Sequence, residues 1–207
     1  ILTRMERENE TFGTVLKDAQ RLGYAEANPA LDVDGIDTAH KAAILSSLAY
    51  GKWFGMSPIF VQGISDISLQ EIRYADELGY KIKLLAIIKQ EKEDVEIRVH
   101  PTLVPKRSQL AAISEVFNGV MVSGDYVGNT LFSGRGAGRD ATASAVVADI
   151  VDVCLNLKFG SQRRVSSFCT GAQFSGIIPM EKVKSRYYLR VQVLDKPGVL
   201  ANVATIL

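Results

Sequence analysis

Only two cysteines occur in the 207 residues, Cys154 and Cys169. Two cannot build a disulfide framework, and their spacing does not suit a metal, which excludes the small stapled folds of oxidising compartments. A reducing, cytoplasmic setting and no metal site are the expectation. Cys154 lies within an apolar helical run and reads as a core residue. Charge of one sign is lacking too: 24 Lys and Arg against 23 Asp and Glu leave a net charge of +1. Nothing there attracts nucleic acid or an anionic membrane. No apolar run is long enough to span a bilayer, and no signal-peptide pattern opens the chain. It begins at Ile1 without an initiator methionine and stops at Leu207 inside an apolar helical pattern. Both ends are therefore expected to be cut from something longer.

What is present is ordinary for a globular protein: 47% hydrophobic and 23% charged residues, enough for one large domain or one domain plus part of another. Ile1 to Glu8 is helical in pattern. Thr11 caps a second helix, which Gly23 stops. Trp53, Phe54 and Met56 pack the end of a later helix. Ile59 to Ile64 reads as a strand. Ser68 and Glu71 form a capping box opening a helix that runs to Gly79. Tyr80 to Lys89 is a long strand. Gln90 to Asp94 is a solvated hairpin turn, and Val95, Ile97 and Val99 alternate as the return strand. A short helix at Leu110 to Glu115 precedes strands near Val120 to Gly124 and Val127 to Phe132. The expected class is α+β: a mixed, mostly antiparallel sheet with helices covering one face.

The densest cluster of ionisable and turn-forming residues runs from Gly23 to Leu45. Glu26, Asp32, Asp34 and Asp37 occupy a connection too long for a simple turn. Asp34-Gly35 is a turn signal, and Asp37 opens a helix whose apolar face is Ala39, Ala42, Ala43, Ile44, Leu45 and Leu48. Asp37 and Lys41 are then i,i+4 neighbours. A lysine held by a carboxylate, beside further carboxylates, can pass a proton and bind a cationic substrate group. A plainly solvated acidic loop is the competing reading, and spacing alone leaves both open.

A second stretch, Ser133 to Ala143, places Gly134, Gly136 and Gly138 between a strand and an apolar helix from about Asp140 to Leu157. Backbone amides of such a loop suit a phosphate or another polar cofactor group. The spacing is G-x-G-x-G and not the dinucleotide fingerprint G-x-G-x-x-G. A tight turn needing small residues fits equally. The helix is apolar nearly all round, so it is expected to be covered by the sheet on one side and to expose a patch on the other. Residues 158–185 then read as a linker, and Tyr187 to Leu194 as a strand leading through Asp195-Lys196-Pro197-Gly198 into a last helix.

These residues carry a family resemblance over nearly the whole chain. The order Gly23-Tyr24-Ala25-Glu26-Ala27-Asn28-Pro29, then Asp32-Val33-Asp34-Gly35-Ile36-Asp37, then Lys41 resembles the substrate signature of homoserine dehydrogenases. Gly134-Arg135-Gly136-Ala137-Gly138, with Thr142-Ala143, resembles their second motif. Asn28 stands where that family commonly has aspartate, and Ala141 where it commonly has proline. Tyr187 to Leu207 is similar to the first strand, loop and helix of an ACT domain, which many bacterial members carry.

The resemblance implies residues 1–157 as a substrate-binding, catalytic and dimerisation domain, 158–185 as linker and 186–207 as the truncated start of the ACT-like regulatory domain. It implies reversible, NAD(P)-dependent interconversion of L-homoserine and L-aspartate 4-semialdehyde in threonine, methionine and isoleucine biosynthesis. Lys41 is then the general acid and base, with Asp37 orienting it. Glu26, Asp32 and Tyr24 bind substrate, and Gly136, Ala137 and Gly138 approach the cofactor. A homodimer and an amino-acid effector are implied as partners. The family's N-terminal Rossmann domain would lie before Ile1, so these residues alone are expected to be inactive. A non-catalytic dimerisation and amino-acid-sensing module is the alternative.

Overall fold

A computed structural model describes residues 1–136, 138–161 and 176–206. Two helices, α1 (Leu2–Glu8) and α2 (Phe12–Arg21), open the chain. Thr11 caps α2 by accepting a hydrogen bond from the Thr14 amide at 3.4 Å. A short helix, α3 (Ala30–Val33), lies inside the acidic connection, where no helix was expected. Then come α4 (Ile36–Tyr50), β1 (Phe60–Val61) and α5 (Leu69–Glu77). Both halves of the α5 capping box form: Ser68 N–H donates to Glu71 at 2.7 Å, and Glu71 N–H to Ser68 Oγ at 3.3 Å. The long hairpin β2 (Tyr80–Glu91) and β3 (Asp94–Pro105) follows, then α6 (Gln109–Ala112), a second hairpin β4 (Phe117–Gly124) and β5 (Gly128–Arg135), and α7 (Arg139–Phe159). A 3-10 turn at Met180–Lys182 and α8 (Val199–Ile206) end the described chain.

The expected α+β class and the mixed pairing hold. β3 is central, antiparallel to β2 from Tyr80 opposite Pro105 to Glu91 opposite Asp94, and parallel to β1. The expectation of one sheet does not: β4 and β5 pair only with each other, among the described residues. The strand expected from Ile59 to Ile64 shrinks to Phe60–Val61. Gly63 turns away there to meet α3, and its neighbour Ile64 donates to the Val33 carbonyl at 2.8 Å instead of extending the ladder.

The main core forms where α4 lies on β3. Ala39, Ala42 and Ala43 meet Val95, Ile97 and Val99, with Phe54 and Ile59. Small side chains let the helix axis approach the sheet closely. Ser46 and Ser47 complete the buried face, their hydroxyls satisfied by the Ala42 and Ala43 carbonyls at 2.7 and 2.6 Å. Ser47 also accepts the Phe54 amide at 2.9 Å, closing the helix end. Buried positions 39, 42, 43, 46 and 47 are an i, i+3, i+4 set. The expected apolar face is thereby corrected. Ile44, Leu45 and Leu48 point outward, 52%, 43% and 52% exposed, because the alanine–serine face fits the sheet and they are opposite it. A second core joins Met5, Val15 and Ile72, from α1, α2 and α5, with Ile82 of β2 packed against them.

Three further expectations change. No residue of α7 is buried, so the sheet covers neither side of it, and Cys154 is exposed rather than in a core. The β4–β5 hairpin that precedes α7 is a separate sheet, which leaves α7 nothing apolar to lie on within the described residues. Tyr187 to Leu194 pairs with none of the described strands; Arg190 instead reaches Gln70 and Glu71 of α5. Within the linker, residues 176–178 dock onto the sheet, where Val95 donates to Gly176 and accepts from Ile178 at 3.0 and 2.9 Å. Val183 is buried as well.

Candidate functional site

The acidic connection is held from three sides. From α2, Gln20 Nε2 donates to the Glu26 and Ala27 carbonyls at 3.0 and 3.2 Å. Asn28 Oδ1 accepts from the Ala30 amide at 3.3 Å and so starts α3, a role that an aspartate oxygen fills equally well. At the far side Gly63 packs against the α3 end so tightly that an added Cβ would fall on the Val33 carbonyl and sit 2.5 Å from Asp34 Cα. Gly35 then turns the chain into α4. Its φ is +80°, a left-handed value that glycine adopts without a steric penalty, and its Cα faces the Val99 and Val61 methyls. A connection that sequence reading left open as solvated is an ordered one.

On α4, Lys41 Nζ donates to Asp37 Oδ2 at 2.5 Å. Asp37 lies in the first turn, where the helix N-terminus favours a carboxylate. The side chains are 50% and 57% exposed, so in this form the pair is worth only about 0.3–0.5 kcal/mol. Its chemistry depends on what covers it, because attraction between unit charges strengthens several-fold once water is excluded. The same stripe of α4 continues into Ile44, Leu45 and Leu48, all exposed. The ion pair thus stands at the head of an outward apolar stripe.

Tyr24, Glu26 and Asp32 stand on the same connection, all exposed. Among the described residues none of the three makes a hydrogen bond or ion pair to Asp37 or Lys41. Of the five expected catalytic and substrate-binding residues, the structure therefore joins two directly and leaves three on the adjoining loop and α3.

The glycine loop lies between β5 and α7. Gly136 N–H donates to the Val116 carbonyl at 2.9 Å, and an added Cβ would collide with the Asn118 side-chain amide. Only glycine fits. Gly138, with φ +120°, precedes the first residue of α7. Ala137 lies outside the described residues. An open cleft of about 530 Å³ is lined here by Arg135, Gly138, Arg139, Asp140 and Ala141. Arg139 pairs with Asp140 of the same lining at 3.3 Å, and Arg135 beside the N-terminus of a 21-residue helix suits an anionic group.

Sequence reading missed a buried polar ladder on β3. Glu96 and Arg98 are 1% and 4% exposed, and Arg98 Nε donates to Glu96 Oε1 at 2.7 Å. Arg98 also touches the His100 ring, which binds the Pro101 carbonyl oxygen at 2.8 Å. Burial, before the smaller effect of Arg98, holds the His100 pKa below its ordinary value. The available signal was alternation: positions 96, 98 and 100 share one face of a strand whose other face is Val95, Ile97 and Val99.

Comparison with known proteins gives the family. The family model described as homoserine dehydrogenase matches residues 1–151. Homoserine dehydrogenase of Pseudomonas aeruginosa is 46% identical over 210 aligned residues, covering 100% of this chain and 48% of that protein. The crystal structure of a homoserine dehydrogenase from Thiobacillus denitrificans superposes with a TM-score of 0.91 at 46% identity, covering 99% of this chain and 48% of that one. A hyperthermophilic archaeal homoserine dehydrogenase mutant, solved in complex with NADPH, superposes with a TM-score of 0.58 at 27% identity, covering 75% of this chain and 43% of that one. The chain thus spans about half the length of the relatives it matches. With the family model covering 151 of its 207 residues, the chain belongs to the homoserine dehydrogenase family.

Proposed function

We propose that this chain is the substrate-binding half of an NAD(P)-dependent homoserine dehydrogenase, which interconverts L-homoserine and L-aspartate 4-semialdehyde in threonine, methionine and isoleucine biosynthesis. The observation that carries the reading is the 2.5 Å contact between Lys41 and Asp37 at the head of the exposed stripe of α4. Reducing an aldehyde places negative charge on its oxygen. An ammonium beside that oxygen stabilises the charge and donates the proton, and in the oxidative direction the neutral amine takes it back. Asp37, one helical turn earlier, orients Lys41. Glu26 binds the α-ammonium of the substrate, Asp32 supplies a second polar contact and Tyr24 lines the pocket. The ordered connection supports these roles, since Gln20, Asn28 and Gly63 hold the segment that carries Glu26 and Asp32 ahead of α4.

NAD(P) fits the second motif. Gly136 and Gly138 lead into the start of α7, where Arg135 offers charge to a phosphate beside Arg139, which pairs with Asp140 at 3.3 Å. Gly136, Ala137 and Gly138 would hold the cofactor from this side, which supplies the hydride chemistry when bound. The outward Ile44, Leu45 and Leu48 support closure by a covering domain that excludes water from the pair.

The proposed domain division is 1–157 for substrate, catalysis and dimerisation, 158–185 as linker, and 186–207 as the beginning of an ACT-like unit that takes an amino-acid effector. The turn from Asp195 to Gly198 into α8 supports the last assignment. A homodimer accounts for the exposed Phe117, Val120, Met121, Val122 and Phe132 of the β4–β5 hairpin. A cytoplasmic location fits the sparse cysteines; among the described residues no helix is long and apolar enough to cross a membrane.

The test is Lys41→Ala in the full-length enzyme. Loss of a general acid is expected to lower kcat by about a hundredfold or more. Wild-type turnover in that variant would remove Lys41 from the chemistry.

A further inference from the structure

Away from the α4 face, α1, β2 and α6 enclose a small basic cavity. Its volume is about 200 Å³, and its lining includes Arg7, Lys81, Lys83, Lys106, Glu6 and Ser114. Three of the four cations already have carboxylates. Lys81 pairs with Glu6 at 3.0 Å, Arg7 with Glu115 at 2.6 Å and Lys106 with Asp76 at 2.6 Å. Lys83 differs. Among the described residues it has no carboxylate partner, and its Nζ donates to the Ile113 carbonyl at 2.5 Å. An ammonium has three N–H donors, so two are left for the cavity.

That ammonium is half-buried, with two cations beside it. Burial first, and then the Lys81 ammonium, hold its pKa below the ordinary lysine value. A charge withdrawn from water is costly unless it is paired. Glu6 is the carboxylate of this lining and it is shared, paired with Lys81 at 3.0 Å while also facing Lys83, so the cations of the wall outnumber its carboxylates. The space is smaller than the roughly 300–1,000 Å³ that drug-sized ligands occupy. It admits a group of a few heavy atoms, with the Thr3 and Ser114 hydroxyls in its lining as further donors or acceptors.

The geometry points to a second ligand site in this cavity, taking the carboxylate group of a small metabolite on Lys83, with Lys81, Arg7 and Lys106 around it. A single uncompensated charge matches a monoanionic carboxylate better than a dianionic phosphate. The site lies on elements other than those of the catalytic pair, so its occupancy is independent of the proposed function.

The experiment is NMR of the chain with ¹³C-labelled lysine, following the Lys83 side-chain signal. Sodium acetate is titrated at constant ionic strength against sodium chloride, and sodium phosphate is run separately. Lys83 is expected to shift saturably with acetate, with a dissociation constant of about 1 mM, and its titration midpoint to rise when acetate is bound. Chloride should give no saturation. Followed at the labelled Lys81 and Lys106 of the same lining, Lys83→Gln should weaken acetate binding by about tenfold or more, whereas Lys83→Arg keeps the charge and should retain it. If Lys83→Gln does not fold, Lys81→Gln leaves the Ile113 contact intact and should weaken binding several-fold. An acetate response that is linear and shared by the surface lysines overturns the site. So does saturation that survives both glutamine variants. Saturation by phosphate and not by acetate overturns the carboxylate assignment.

Discussion

Gly35 joins the acidic connection to α4, and replacing it by alanine tests how that joint is held. Two costs apply. The residue has φ +80°, where an L side chain crowds the following carbonyl, at about 1–2 kcal/mol. The new Cβ would also sit 3.2 Å from Val99 Cγ1 and 3.3 Å from Val61 Cγ1. Those methyls belong to buried or half-buried strand residues and must give by a few tenths of an ångström, adding about 1 kcal/mol of overpacking. The sum is about 2–3 kcal/mol. Gly51, at the other end of α4, separates the two costs. Its φ is +65°, and an added Cβ there meets nothing within 4 Å. Gly51→Ala should therefore show only the conformational part, about 1–2 kcal/mol. Urea unfolding followed by circular dichroism gives both values, compared at equal m. Equal destabilisation of the two variants would refute the packing argument. A Gly35→Ala change below about 0.5 kcal/mol, the scale of neutral surface substitutions, would refute the placement of Gly35 against β1 and β3.

Three other outcomes are expected. In the full-length enzyme, Glu26→Gln should mainly raise KM for homoserine and Asp37→Asn should mainly lower kcat; steady-state kinetics with the reverse split would exchange the two roles. The His100 pKa is depressed in the folded chain, so its contribution is fully present above the unfolded value of about 6.5 and is lost as pH falls through the lower, folded one. Urea midpoints should therefore drop below that pH and flatten in His100→Gln; an unchanged pH profile in that variant would assign the drop elsewhere. The 207 residues by themselves should form a dimer by light scattering and bind NADPH too weakly for calorimetry at micromolar cofactor; a monomer would contradict the hairpin interface, and tight saturable binding would mean that the cofactor site is complete within them.

Several features were legible in the sequence because they depend on residues close together in it. The Ser68–Glu71 capping box, the long β2–β3 hairpin and the Asp37–Lys41 spacing each follow from local backbone geometry, and each is present. The order of tyrosine, carboxylates and lysine was enough to indicate the family, since that motif is read without knowing what it packs on. Tertiary structure decided which faces are used. Sequence periodicity put Ala39, Ala42 and Ala43 on one apolar face with Ile44, Leu45 and Leu48. The close approach of β3 selected the smaller residues, and so turned the larger ones outward on the stripe that carries Lys41. β3 itself is buried on both faces, so Glu96 and Arg98 are inside although their charge suggested solvent. Strand status for Tyr187 to Leu194 also required a partner edge, which a period-two pattern cannot supply. The cavity around Lys83 is the extreme case: its lining comes from α1, β2, α6 and the connections on either side of α6, and no local sequence pattern places their cations around one space.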